Sequence, residues 1–127
     1  MKFTTMSGPF AICKLDPASA IPDWAATRPV FSITVTADEL SIICLEASVP
    51  DGIQAERGLL GLRIEGPFPL DAIGILHSFL APLAQASVPM FAVSTYDTDY
   101  IFIHEKHWAQ ALGALAAAGH EPQHSSN

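Results

Sequence analysis

The stretch of sequence from Pro89 to His104, PMFAVSTYDTDYIFIH, has the pattern of a β-hairpin. Apolar and aromatic residues fill its two ends, and a polar run lies between them. β-Branched and aromatic side chains favour strands, whereas Asp and Thr at a chain reversal favour a turn. The pattern therefore predicts one strand over 89–96, a turn at 97–98 and a second strand over 99–104.

Helices are predicted on either side of this hairpin. Upstream, an apolar strand over 59–65 ends at a Gly-Pro-Phe-Pro sequence, and Asp71 follows at a position suited to capping a helix. Apolar residues then recur at helical spacing with Pro82 among them, so we expect a helix that the proline kinks or shortens. Downstream, residues 105–118 have a second helical pattern that ends at Gly119. The order is β-α-β-β-α.

A reduced copy of this order precedes it. Shifting the sequence by 60 residues places a second hairpin pattern over 30–46, and a short strand over 10–15 comes before it. Only short helical turns fit between that strand and the hairpin, and residues 53–57 predict no more than one turn. Two such units predict an α+β protein of two ferredoxin-like units, with antiparallel sheets and helices on one face.

The two units are predicted to divide at residues 1–57 and 58–127, with a polar tail from about residue 119. The second unit lacks a clear fourth strand, because His120-Glu121-Pro122 is a weak strand pattern. The unassigned segment Lys2–Met6 is a candidate for that strand.

The composition excludes some classes of partner. The 127 residues are 50% hydrophobic and carry a formal net charge of −7, with a pI near 4.9. This sign is unfavourable for nucleic acid or anionic membranes, since both require basic surfaces. No apolar run approaches the roughly 20 residues of a membrane span, and the N-terminus lacks the apolar segment of a secretory signal. We therefore expect a cytoplasmic protein.

Four short motifs in this arrangement resemble those of the ACT domain: RIEGP at 63–67, STYDTDY at 94–100, ADELSI at 37–42 and AERG at 55–58. Within that superfamily, the chain is similar to small tandem-ACT proteins of bacteria whose domains resemble those of the eukaryotic CASTOR arginine sensors. The resemblance implies βαββαβ units in tandem. It also implies a non-catalytic regulatory module without a cofactor, which binds an amino acid where ACT units meet, often across a homodimer.

The resemblance also implies ligand-binding positions in the loop after the first strand of the second unit and in its hairpin: Gly66, Thr95, Tyr96, Thr98 and Asp99. The arginine sensors have an acidic residue three positions after the glycine, where this chain has Pro69. From the residues alone, Asp99 can accept a ligand ammonium group, and the N–H groups of Phe68, Leu70 and Asp71 can donate to its carboxylate.

Two other interpretations stay open. Gly66–Pro69 is also typical of a stiff strand-to-helix connection, and Asp97 and Asp99 of ordinary turn chemistry, which would leave a structural dimerisation module without a ligand. His104 and His107, three residues apart, have a spacing that can share a metal ion in a small metal-binding protein or enzyme. No Cys or carboxylate completes a defined metal motif with them, so we predict neither a catalytic nor a metal site.

The cysteines, the tryptophans and the other histidines are interpreted as structural residues. Cys13 and Cys44 lie in apolar runs and predict buried, reduced thiols. Trp24 and Trp108 are predicted to anchor the cores of the two halves. The other histidines are interpreted as a residue at the edge of the apolar helix face, His77, and as residues of the polar tail, His120 and His124.

Overall fold

The computed structural model describes residues 1–123 and comprises two compact units. We call residues 7–59 the N unit, and residues 1–6 together with 60–127, described as far as 123, the C unit. The described chain runs through these elements: β1 (Lys2–Thr5), β2 (Phe10–Leu15), β3 (Ser32–Val35), β4 (Leu40–Leu45), β5 (Ala55–Ile64), α1 (Ile75–Gln85), β6 (Phe91–Ser94), β7 (Asp99–His104), α2 (Trp108–Ala117) and β8 (Glu121–Gln123).

The C unit is a sheet whose one face is covered by both helices. In it β6 pairs with β7, β7 with β5, β5 with β1 and β1 with β8. The β6–β7 and β1–β5 pairs are antiparallel, and the short β8 is parallel to β1. Alternate strand residues meet residues of α1 and α2 in its core: Phe3, Leu62, Ile64, Ile101, Ile103, Phe79, Leu83, Ala111 and Leu115. The predicted α+β, ferredoxin-like class is confirmed.

The N-terminal segment, a candidate for the missing strand, completes this sheet. β1 lies antiparallel to β5 with Phe3 opposite Ile64, and Phe3 is 1% exposed. Burying a Phe side chain contributes roughly 1.5–3 kcal/mol, which explains why this short strand is held. Residues 121–123, where the sequence shows only a weak strand pattern, form β8 on its other side.

Helix α1 begins later than the sequence predicts. Asp71 lies in the preceding loop, and the residue before the first turn is Gly74, with a left-handed φ of 79°. The prediction that Asp71 caps the helix is therefore wrong. Glycine adopts a positive φ without the steric cost of a Cβ atom, so the chain turns at Gly74 and the helix starts at Ile75.

Pro82 lies inside α1, which continues to Gln85. Proline has no N–H, so it cannot donate to the carbonyl of Ser78 four residues earlier. His120 supplies the donor: its Nε2 lies 2.7 Å from the Ser78 oxygen, and its ring stacks on Phe79 at a centroid distance of 3.9 Å. His120, predicted as a polar tail residue, is therefore a buried part of the C unit.

The N unit is a small sheet, and its residues 7–59 contain no α-helix. β4 lies between β3 and β2, and β2 also pairs with the beginning of β5. Two three-residue 3₁₀ turns, Asp23–Ala25 and Glu46–Ser48, stand where helices would be expected. A separate core fills the unit: Ala11, Cys13, Ala25, Leu40, Ile42, Cys44 and Val49.

The prediction of a single turn over residues 53–57 is wrong. β5 begins at Ala55, which pairs with Cys13, and Glu56 pairs with Ile12. Backbone pairing with a neighbouring strand does not require an apolar side chain at every position, because strand preference depends strongly on context. The hydrophobic pattern therefore missed the first four residues of this strand, 55–58.

The two hairpins are related by 59 residues rather than the predicted 60. Leu40 lies opposite Val35 at the end of the first hairpin, and Asp99 lies opposite Ser94 in the second. Because side chains alternate between the faces of a sheet, a shift of one residue exchanges the two faces. With an offset of 59 residues the buried positions align, Ile42 with Ile101 and Cys44 with Ile103. Leu40 therefore occupies the position of Asp99.

Candidate functional site

A threonine turn closes the β6–β7 hairpin. The Thr95 N–H donates to the Thr98 carbonyl at 2.8 Å, and the Thr95 hydroxyl both donates to that carbonyl and accepts from the Thr98 N–H. Beside the turn, the Ser94 hydroxyl donates to the Asp99 carboxylate. Hydroxyl groups that bond nearby backbone stabilise such turns. Tyr96 and Asp97 are thereby held at the tip.

The loop after β5 is joined to this turn by two hydrogen bonds. The Phe68 N–H donates to the Asp97 carbonyl at 2.8 Å, and the Thr98 hydroxyl donates to the Ile64 carbonyl at 2.7 Å. Gly66 lies so close to the turn that a Cβ atom built on it would be 3.1 Å from the Asp97 carbonyl oxygen. A side chain at this position would require the loop or the turn to shift by a few tenths of an ångström.

The loop, the start of α1 and the turn form the walls of a cavity of about 340 Å³. Ligand pockets span roughly 300–1,000 Å³, so this size suits a small molecule. Four of the five predicted site residues line it: Thr95, Tyr96, Thr98 and Asp99. Gly66 does not; it lines a neighbouring cavity of about 210 Å³ together with Arg63, Glu65, Pro67, Thr95, Asp97, Thr98 and Tyr100.

Several residues of the larger cavity were not predicted as part of a site: Ile75, Leu76, His77 and Ser94. The first three were missed because the start of α1 was placed too early. Ser94 had a usable signal, because a hydroxyl residue directly opposite an acidic residue across a hairpin can hydrogen-bond to it. Asp97, interpreted only as a turn residue, also lines both cavities.

The charge of the larger cavity is negative. Asp97 and Asp99 are its charged side chains, and its lining residues include no Lys or Arg. Across from them lies the start of α1, where Gly74 caps the helix without any side-chain hydrogen bond and no acidic residue stands in the first turn. The first N–H groups of a helix lack intrahelical acceptors and carry partial positive charge. The cavity thus combines carboxylates with N–H donors.

The predicted N–H donors need correction. The Phe68 N–H is already bonded to the Asp97 carbonyl, and Asp71 does not line the cavity. Leu70, the third predicted donor, does line the cavity. Residues 75–77 line it too because the helix starts later than predicted, and the N–H groups of a first helical turn lack intrahelical acceptors.

The smaller cavity contains an ion pair. The Arg63 guanidinium lies 2.9 Å from the Glu65 carboxylate, which also accepts the Thr4 hydroxyl. The hydrogen bond from Thr4, followed by that from Arg63, lowers the pKa of Glu65, and the bond to Glu65 raises the pKa of Arg63. The one cation of this cavity is therefore already paired with a carboxylate.

The described histidines belong to no cluster of three or more metal-ligating side chains. The His104 Nδ1 accepts the Lys106 N–H at 3.1 Å, which occupies that nitrogen in capping a 3₁₀ turn. Residues 1–123 contain no group of three or more His, Cys, Asp or Glu side chains arranged to hold a metal ion. His124 lies outside the described residues.

The predicted buried thiols are confirmed. Cys13 and Cys44 are both free and buried in the N unit. Burial raises the pKa of Cys13, and burial together with the neighbouring Cys13 raises the pKa of Cys44 to about 11. Both groups are thus protonated near neutral pH, which is unsuited to a nucleophile. Trp24 and Trp108 are partly buried against the cores of their own units.

Two family models match the chain. A model of the ACT domain matches residues 54–117, and a model of an N-terminal domain matches residues 8–52. The chain therefore belongs to the ACT domain family. A search of curated proteins gives no match. None of the described helices is long and apolar enough to cross a membrane.

Solved structures show the same fold. A protein from Agobacterium tumefaciens is 34% identical with a TM-score of 0.90, over 99% of this chain and 96% of that one. A protein from Vibrio cholerae, described as of unknown function and possibly a transport protein, is 19% identical with a TM-score of 0.72, over 89% and 85% of the two chains. The ligand-free regulatory subunit of aspartate kinase from Thermus thermophilus is 10% identical with a TM-score of 0.59, over 92% and 97%.

Proposed function

We propose that this protein is a non-catalytic regulatory protein that binds an amino acid in the 340 Å³ cavity of the C unit. The observation that carries this proposal is the pairing, across one small cavity, of the Asp99 carboxylate with the uncapped first turn of α1. An amino acid carries an ammonium and a carboxylate close together. Such a ligand needs a carboxylate acceptor and N–H donors at a similar separation.

Asp99 is the acceptor for the ligand's ammonium group in this proposal. Its carboxylate is oriented by the Ser94 hydroxyl, which donates to it from the opposite strand. The ligand's carboxylate is assigned to the N–H groups of the first turn of α1. A hydrogen bond between two charged groups contributes about 1.5–3 kcal/mol when shielded from water, so Asp99 is expected to dominate the affinity.

The other predicted site residues have supporting roles in the proposal. Thr95 and Thr98 hold the turn and present their side chains to the cavity. Gly66 permits the close approach of loop and turn rather than touching the ligand. Tyr96, whose side chain is 82% exposed, lies at the rim of the cavity.

We also propose that a second copy of the chain covers the rim. Three large apolar side chains in the loop and the turn are strongly exposed: Leu70, Ile73 and Tyr96. Exposed apolar groups at one place favour association, and a homodimer formed there would shield the ligand from water.

Three further inferences from the sequence, on domain arrangement, kinship and location, remain part of this proposal. They are a tandem of ACT-like units, predicted at 1–57 and 58–127 and divided in the structure as residues 7–59 and residues 1–6 with 60–127, a kinship to the ACT domains of the CASTOR arginine sensors, and a cytoplasmic location. The shared turn hydrogen bonds of the two hairpins support the tandem: Thr36 bonds to Glu39 in the first as Thr95 bonds to Thr98 in the second.

A thermal-shift screen with the standard amino acids tests the ligand. A ligand at 100 times its dissociation constant adds about 2.7 kcal/mol of stability, which gives a clear shift of the melting midpoint. Calorimetry then compares Asp99→Asn with Asp71→Asn, an equal charge change at a loop residue outside the cavity. We expect Asp99→Asn to raise the dissociation constant roughly tenfold to a hundredfold, and Asp71→Asn to leave it unchanged.

The screen also separates this proposal from the alternatives. If no amino acid shifts the midpoint while sedimentation reports a dimer, the protein is a structural dimerisation module. Equal losses of affinity in the two Asp variants would refute the assigned role of Asp99. Stoichiometric metal in protein purified without a His tag would favour the metal-binding alternative at His104 and His107.

A further inference from the structure

We infer that the amino acid bound in the 340 Å³ cavity has an uncharged, apolar side chain; this inference rests on the proposed function. Main-chain groups common to all amino acids are matched by Asp99 and the first turn of α1. The remaining walls of the cavity therefore decide which side chain is accepted.

Acidic ligands are disfavoured by the charge of the walls. Asp97 and Asp99 line the cavity without any Lys or Arg among the lining residues. A second carboxylate or a phosphate on the ligand would meet these like charges with no cation to offset them. The nearby Arg63 lines the smaller cavity and is already paired with Glu65 at 2.9 Å.

A cationic side chain also has little to gain. In the proposed binding mode the ligand's ammonium group donates hydrogen bonds to the Asp99 carboxylate, which also accepts a hydrogen bond from the Ser94 hydroxyl. The second carboxylate, Asp97, is exposed to solvent. Ion pairs at exposed positions contribute little, because water and salt screen them.

Apolar residues make up the rest of the wall: Phe68, Pro69, Leu70, Ala72, Ile75 and Leu76. Phe68 and Leu76 pack at the same time against the core of the C unit, which fixes their positions. Each methylene group of a ligand buried against such a wall raises the affinity about fourfold. A branched aliphatic or thioether side chain therefore gains most from this cavity.

Calorimetry with the full-length protein tests the inference. The probes are L-leucine, L-methionine and L-alanine, compared with L-lysine, L-arginine, L-aspartate and L-glutamate. We expect leucine or methionine to bind about tenfold or more tightly than alanine, and the four charged amino acids to bind more weakly than alanine. Tighter binding of any charged amino acid overturns the inference but leaves the proposed function standing. Binding of none of the seven overturns the inference, and the proposed function falls with it when the screen with all the standard amino acids also gives no shift.

A pair of matched variants locates the selectivity. Leu70 lines the cavity and is 76% exposed, whereas Ile21, a loop residue of the N unit, is 55% exposed and does not line it. Both substitutions, Leu70→Glu and Ile21→Glu, add one negative charge to an exposed position and spare the core. We expect Leu70→Glu to weaken leucine binding about tenfold relative to lysine binding, and Ile21→Glu to preserve the wild-type preference. Equal effects of the two variants would overturn the assignment of the apolar wall.

Discussion

The hydrogen bond between His120 and Ser78 makes a quantitative prediction about stability. The Ser78 carbonyl can only accept, so the His120 Nε2, 2.7 Å away, carries the proton. His120→Phe keeps a ring on Phe79 but leaves this carbonyl without its donor. A buried acceptor without a partner costs about 1–3 kcal/mol. Because this hydrogen bond is partly buried, we expect the free energy of unfolding to fall by an amount near the lower end of that range.

The proline in α1 supplies the decisive second variant. In Pro82→Ala the backbone N–H of residue 82 returns and can bond the Ser78 carbonyl, as in a regular helix. His120→Phe should then cost less by the contribution of this bond, whereas the contact of the His120 Nδ1 with the Met1 ammonium at 3.2 Å is lost in both backgrounds. We expect a coupling free energy of about 1–2 kcal/mol between the two substitutions.

Urea unfolding of the four proteins at pH 8 measures this coupling. His77→Phe is the matched control, since His77 lies on the same helix but is exposed, and it should leave stability unchanged within about 0.5 kcal/mol. If His120→Phe costs the same with and without Pro82, the histidine does not replace the missing helix donor and the reasoning fails.

Two further predictions concern the loop and the thiols. Gly66→Ala should lower the free energy of unfolding by about 1–2 kcal/mol, because its Cβ would press against the Asp97 carbonyl. Gly113→Ala, in helix α2 with open space around it, should raise the free energy of unfolding by about 0.5–1 kcal/mol. Equal effects of the two variants on the melting midpoint would contradict the close approach at Gly66. Because the pKa of Cys44 is raised to about 11, the unfolded chain ionises first. Stability should therefore fall as pH rises from about 9 to 11, by up to about 1.4 kcal/mol per pH unit, and Cys44→Ala should flatten this fall in urea titrations; an unchanged slope would contradict it.

The hairpins and the fold class followed directly from the sequence pattern. The predicted strands over 99–104 and 10–15 coincide with β7 and β2. Both are short runs rich in apolar residues, and each lies next to a clear turn signal. The offset between the repeats was wrong by one residue. An offset of 60 residues aligns chemically similar side chains. Only the pairing of strands across the sheet shows which side chains lie on the same face.

The candidate site was less accessible to sequence reasoning. Its hairpin wall followed from the resemblance, but the helix wall depended on where α1 begins, and Gly74 with its positive φ overrides the capping signal of Asp71. His120 was missed for a related reason. Its function depends on a carbonyl forty-two positions away that Pro82 leaves without a donor, and no local pattern connects them.

The pairing of β1 with β5 would allow the segment between them to be removed from the chain. The Met6 N–H donates to the Gly61 carbonyl at 3.0 Å, and Thr5 lies opposite Leu62, so the two points where the chain leaves and re-enters the C unit are neighbours. Residues 7–59 therefore form an insertion between adjacent antiparallel strands. Replacing them with a two-residue hairpin turn would leave the helices and strands of the C unit, with β5 shortened to residues 60–64, in one continuous, shorter polypeptide.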